Sequence, residues 1–152
     1  MILIFLEFGC SGSLISKYYV LTAAHCLKLR SSSATGVRLG EYNVQEMIDC
    51  DKSDFIEVCA DPVQDYDIKA KIKHPKYNRR YGLNDIALLR LATAVVFTDF
   101  IRPICLPTPD RHLAQSGDDI QLSGFGKLSN NGLFRGIKKK VLGKLISNTE
   151  CA

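Results

Sequence analysis

Apolar and polar positions alternate along this chain in short runs. Between residues 67 and 73, Ile68, Ala70 and Ile72 fall on one side and Asp67, Lys69, Lys71 and Lys73 on the other. That period of two is the signature of a half-buried strand. Residues 2–8 form an apolar run that predicts a buried strand. Further strands are expected at 12–16, 18–22, 36–39, 85–91, 119–123 and 138–145, and the second of these is rich in aromatic and β-branched residues. Turn chemistry separates them: His74-Pro75-Lys76-Tyr77-Asn78, and Ser129-Asn130-Asn131-Gly132 between the last two strands. Residues 101–109 carry Pro103, Pro107 and Pro109 and read as an extended linker between two packing units. No segment is strongly amphipathic at helical spacing, and residues 23–29 predict one short turn at most. Strands of this length and spacing point to an all-β barrel or sandwich. The chain has no internal repeat of fixed period.

Composition narrows the picture. With 152 residues, 46% hydrophobic and 24% charged, the chain can bury a core and does not have the composition of a disordered protein. Twenty Lys and Arg against sixteen Asp and Glu give +4. The dense basic run Lys138-Lys139-Lys140 has no aromatic residues among it and reads as a solvated strand edge, not a nucleic-acid site. The six cysteines, Cys10, Cys26, Cys50, Cys59, Cys105 and Cys151, include no Cys-x-x-Cys, and His25, His74 and His112 do not stand at zinc-finger spacing from them. Six cysteines in an ordinary globular composition fit an oxidising compartment. Residues 1–8 lack the positive start of a signal peptide, and Glu7 breaks the run. They are also too short to cross a membrane, which takes about 20 apolar residues. A disulfide-bearing chain without an export signal is expected to lack its natural N-terminus.

Two segments carry chemistry. Leu21-Thr22-Ala23-Ala24-His25-Cys26 puts a histidine after a strand, in a turn that two small residues allow to pack closely. Downstream, Asn84-Asp85-Ile86-Ala87-Leu88-Leu89-Arg90-Leu91 sets an aspartate at the head of an apolar strand, where burial is costly unless the carboxylate is paired. In this order the segments closely resemble the histidine and aspartate motifs of the trypsin- and chymotrypsin-like serine proteases. The resemblance implies that Asp85 accepts the N–H of His25 and fixes its tautomer, leaving the other ring nitrogen to face a serine. Other segments match in order. Phe8-Gly9-Cys10-Ser11-Gly12-Ser13-Leu14-Ile15 resembles the strand that carries the partner of Cys26, with Ser11 where the family usually has glycine. Leu39-Gly40-Glu41-Tyr42-Asn43 resembles the strand entering a loop that binds calcium in some relatives. Residues 101–107 resemble the inter-barrel linker. Leu122-Ser123-Gly124-Phe125-Gly126 resembles a Gly-Trp-Gly element with Phe125 in place of tryptophan, and residues 141–151 resemble the strand and loop that follow.

The resemblance therefore implies an all-β, chymotrypsin-like double β-barrel. Residues 1–104 would form a nearly complete first barrel holding His25 and Asp85. Residues 105–152 would form the linker end and a truncated second barrel. It also implies a Cys10–Cys26 disulfide. Cys50 and Cys59 bracket an acidic loop similar to the short disulfide loop of the arthropod clip-domain proteases, which act in zymogen cascades of immunity, melanisation or development. In those relatives the cysteine at the place of Cys105 holds a cleaved N-terminal pro-region, so Cys105 and Cys151 are expected to be unpaired in this chain.

The family's nucleophile lies in Gly-Asp-Ser-Gly-Gly, and no serine of this chain stands in that motif: Ser11 and Ser13 flank Gly12, Ser123 follows Leu122, Ser147 follows Ile146, and Gly117-Asp118 is followed by Asp119. The paired glycines that follow activation are absent as well. The chain is thus expected to be a fragment, incomplete at both ends and inactive as given, of a secreted serine endopeptidase. Protein substrates and serpin-type inhibitors are the expected partners of the parent, with neither nucleic acid nor membrane. A non-catalytic protease homologue acting as a binding cofactor is the alternative. No cofactor is required by this reading. The acidic residues Glu41, Asp49, Asp51, Asp54 and Glu57 read first as a solvated acidic loop; calcium, whose oxygen chemistry they have, is the alternative.

Overall fold

The structure, a computed structural model, describes residues 2–5, 10–29, 32–51, 57–108, 113–125, 136–147 and 149–151. In chain order the strands are β1 (Ile2–Phe5), β2 (Cys10–Leu14), β3 (Tyr19–Thr22), β4 (Lys28–Leu29), β5 (Ser32–Ser33), β6 (Gly36–Leu39), β7 (Cys50–Asp51), β8 (Val58–Cys59), β9 (Gln64–Lys73), β10 (Ala87–Leu91), β11 (Asp119–Phe125) and β12 (Lys138–Lys144). Among the described residues one 3-10 turn, Ala24–Leu27, interrupts them. Among the described residues no helix is long and apolar enough to cross a membrane.

Six strands close into an antiparallel barrel in the order β1-β2-β3-β10-β9-β6. Closure leaves no free edge in this sheet. Alternation along β10 shows how the barrel fills: Ala87, Leu89 and Leu91 are buried, while Leu88 is half-buried and Arg90 exposed. Leu89, Leu91, Val20, Val37 and Leu39 have less than 2% or about that of their surface in contact with water. Full burial of such side chains contributes about 1.5–3 kcal/mol each. Val95 and Ile101, beyond β10, close the core.

The period-two pattern at residues 67–73 holds and then inverts. Tyr66 and Ile68 pack on the core. Against β10, however, Arg90 lies opposite Ala70 and Leu91 opposite Ile68, so Lys69 is an extra residue, a bulge. A one-residue slip moves every later side chain to the other face. Lys71 and Lys73 thus stand across from the buried Leu89 and Ala87, and Ile72 is 46% exposed. Lysine tolerates that face because its stem can lie along apolar surface while its amine reaches out; the Lys71 amine donates to the Ser33 hydroxyl at 2.5 Å.

Beyond residues 101–108, which have no regular structure, β11 and β12 form a hairpin in continuous register from Asp119 opposite Lys144 to Phe125 opposite Lys138. Its outer positions Leu122, Val141 and Leu142 are exposed. The hairpin meets the loop after β6 through an Asn43–Ile137 bridge, with Val44 N–H donating to Gly136 (3.1 Å) and Lys138 N–H to Tyr42 (2.8 Å). The turn expected at 129–132 and the end of the first expected strand, residues 6–8, lie outside the described residues. Two short ladders, β4–β5 and β7–β8, have no counterpart in the sequence reading: two-residue strands are too short to show a period.

Candidate active site

β3 delivers the chain to the site. Val20 and Thr22 point inward, and the buried Thr22 hydroxyl donates to the Ser11 carbonyl at 2.9 Å, tying β3 to β2. β2 approaches β3 closely at Gly12, where a Cβ would stand 2.7 Å from the Leu21 oxygen and 2.8 Å from Val20. No side chain fits there. Past Thr22 the chain tightens, with Cys26 N–H donating to Ala23 at 3.1 Å. Ala24, Cys26 and Leu27 are buried and His25 alone in this turn faces out. The Cys10–Cys26 disulfide fastens the turn to β2.

Asp85 arrives from the other side, just ahead of β10. The preceding residue, Asn84, has a φ of 54°, the one non-glycine in the left-handed region among the described residues. Asparagine tolerates this conformation better than most residues. Its side-chain amide donates to the Lys76 carbonyl at 3.0 Å, and Ile86 N–H closes back on its carbonyl at 2.8 Å. The chain thereby reverses and presents Asp85 to the histidine turn. One carboxylate oxygen lies 2.6 Å from His25 Nδ1 and the other accepts the His25 backbone N–H at 2.8 Å. The carboxylate is held below its usual range, first by the hydrogen bond from the His25 ring and then by that from the His25 backbone.

A carboxylate at 2.6 Å places the ring proton on Nδ1, which leaves the Nε2 lone pair as the basic site. Nε2 has Cys26 Sγ at 3.4 Å, and the imidazole is half exposed, at 52%. Among the described residues no serine hydroxyl bonds to it. The nearby sulfurs of Cys10 and Cys26 are closed in a disulfide and are not thiolate ligands for a metal. The pair is an oriented base, able to take a proton from a hydroxyl placed at Nε2, and among the described residues no such hydroxyl stands beside it.

The other expected site residues lie apart. Cys50 and Cys59 are bonded across the β7–β8 ladder. Cys105 and Cys151 are exposed free thiols. In the acidic loop, Asp49 accepts from the backbone N–H groups of Tyr42 (2.8 Å) and Asn43 (2.9 Å), so it braces the loop. Glu41 is 2% exposed, and its Oε1 has no hydrogen-bond partner. Burial pushes its carboxyl up, the charge of Asp49 adds to this, and Arg38 at 3.5 Å opposes it. Arg38 is itself clasped by Asp65 through two 2.8 Å bonds. Glu57 is exposed, and the Asp51 side chain and Asp54 lie outside what is described. Sequence reasoning missed Thr22 and Asn84. A hydroxyl ending an apolar strand and an asparagine directly before the aspartate were the available signals.

The family profile described as Trypsin matches residues 3–152. CLIP domain-containing serine protease B9 of Anopheles gambiae is 38% identical over 149 residues, 95% of this chain and 37% of that protein. Phenoloxidase-activating factor 3 of Holotrichia diomphalia is 44% identical over 122 residues, 79% of this chain and 34% of that protein. Among solved structures, the Drosophila Grass clip serine protease of the Toll pathway superposes with a TM-score of 0.79 at 32% identity, covering 93% of this chain and 40% of that one. The chain therefore spans well under half the length of these relatives.

Proposed function

The chain belongs to the trypsin family of serine proteases, among whose members it is similar to arthropod clip-domain proteases, and from that premise we propose that it is the base-bearing part of a secreted serine endopeptidase that works in a zymogen cascade of immunity or development. The observation that carries this reading is the two-point grip of Asp85 on His25. In the whole protein, His25 Nε2 takes the proton of a serine hydroxyl as the oxygen attacks a peptide carbonyl. Asp85 holds Nδ1–H and stabilises the imidazolium, which then protonates the leaving amine. No serine of this sequence stands in the family's motif, so the chain by itself is expected not to turn over substrate. Oxyanion donors, each worth about 10²–10³ in rate, would come with the serine-bearing segment. In the same reading Cys105 bonds an N-terminal pro-region, and serpin-type inhibitors act on the parent. Sequencing the natural transcript tests this. Coding sequence for an activation site upstream and for Gly-Asp-Ser-Gly-Gly downstream supports it. A message that stops after Ala152 and starts at Met1 would replace it with the binding-cofactor reading.

Calcium at the acidic loop forms part of this proposal. Glu41, whose buried Oε1 lacks a partner, would be the anchor of such a site, with Asp49, which already accepts from the backbone N–H groups of Tyr42 and Asn43, the neighbouring acid; bound calcium would supply the positive charge that Oε1 lacks. Terbium luminescence sensitised by the adjacent Tyr42, lost in Glu41→Gln, is the expected result. Absence of any signal would leave Arg38 as the counter-charge.

A further inference from the structure

Charge is segregated in this protein. Residues 68–84 contain six Lys and Arg and no Asp or Glu, whereas the rest of the chain holds fourteen Lys and Arg against sixteen Asp and Glu, a net of −2. The six cations are Lys69, Lys71, Lys73, Lys76, Arg79 and Arg80, and all are exposed. Among the described residues none forms an ion pair. Three lie on β9, and the others follow on the turn and the hairpin that Asn78 and Leu83 bridge, so the charge continues from the strand into the loop ahead of Asp85. Lys69 stands at the bulge of β9, and Lys71 and Lys73 follow across from Leu89 and Ala87 with exposed side chains, so the three charges are carried to solvent from one stretch of strand.

We propose that this ridge binds a linear sulfated polysaccharide. A row of unpaired cations attracts a polyanion by releasing its counterions and needs no pocket. A cleft among the described residues lies elsewhere, lined by Glu41, Tyr42, Asn43, Asp49 and Lys138. A bound peptide would need such concavities for its anchors. A single-stranded nucleic acid would need free aromatic faces for its bases. Here Lys73 already covers the Tyr77 ring at 5.9 Å and Arg80 the Tyr81 ring at 5.6 Å. The two disulfides also fit an oxidising environment outside the cell, where sulfated polysaccharides are the abundant linear polyanions. This site is independent of the His25–Asp85 chemistry.

The experiment titrates the full chain with heparin between 50 and 200 mM NaCl. Each cation engaged contributes about 0.7–0.9 to the slope of log affinity against log salt in nucleic-acid systems. Six would lower affinity roughly 300–2,000-fold over that range, and three only roughly 20–40-fold. K69Q/K71Q/K73Q and K76Q/R79Q/R80Q should each lose about half of the slope. K138Q/K139Q/K140Q removes the same charge elsewhere and should leave the slope unchanged. Two separate triple variants, with circular dichroism of each, guard against a folding defect in one. The proposal is overturned if heparin does not bind at 50 mM NaCl, or if the 138–140 variant loses as much as the others. It is overturned equally if polyglutamate or single-stranded DNA competes as tightly as heparin.

Discussion

Removing the disulfide beside His25 should destabilise both the barrel and the candidate site. Cys10 and Cys26 are 16 residues apart. Closing a loop of that size in the unfolded chain is worth about 3 kcal/mol in the chain-entropy model. The two sulfurs are also buried, at 7% and 4% exposure. Alanine at both positions removes that packing as well, at about 0.8 kcal/mol for each group of methylene size, so C10A/C26A should cost about 4–5 kcal/mol. With a urea slope of about 1–3 kcal/mol per molar, the midpoint falls by roughly 2 M. The effect should also be local. His25 is held by a buried neighbour on each side, and the Cys26 anchor is the one removed. The hydrogen-bonded Nδ1 proton, visible at low field by NMR, should therefore broaden or vanish. C50A/C59A is the comparison. Its bridge spans 9 residues and lies away from His25, so it should cost about 2.5 kcal/mol and leave the Nδ1 signal in place. A C10A/C26A loss below 1 kcal/mol would refute the reasoning, as would equal disturbance of His25 by both double variants.

Two further outcomes follow from the aspartate. Its folded-state titration lies below the ordinary value, so its contribution to stability is present above the unfolded carboxylate range and is lost as pH falls through the folded one. In His25→Ala, carbon NMR should show the Asp85 carboxyl titrating higher than in the parent chain; an unchanged titration would mean that the ring bond does not hold it. Asn84→Val forces a β-branched residue into a φ of 54° and should cost about 1–3 kcal/mol, with Asn84→Gly recovering most of it; equal losses in urea melts would point to the amide bond to Lys76, not the backbone, as the important feature.

Much of this arrangement is legible in the residues themselves. His25 and Asp85 stand in segments specific enough to name a family, and the strands at 36–39, 119–125 and 138–144 show through their alternation or their flanking turns. The bulge at Lys69 does not, because period-two reading assumes an unbroken pleat and nothing local marks the extra residue. Asp85 itself sits before β10 and not within it, since the reversal at Asn84 depends on a bond to Lys76, eight residues away. Glu41 reads as one of several loop acids; its burial comes from the fold around it, which a tally of acidic residues does not reveal.

His25 and Asp85 form a base and its orienting acid with no serine of this sequence in the family's motif, and labelling by a serine-directed fluorophosphonate tests that most directly. The folded chain, treated at neutral pH and analysed by intact mass, is predicted to gain no adduct, because no hydroxyl lies at His25 Nε2 among the described residues and no serine of the sequence stands in the family's motif. Stoichiometric labelling of one serine, abolished by His25→Ala, would contradict the account and identify a nucleophile that the reading has misplaced.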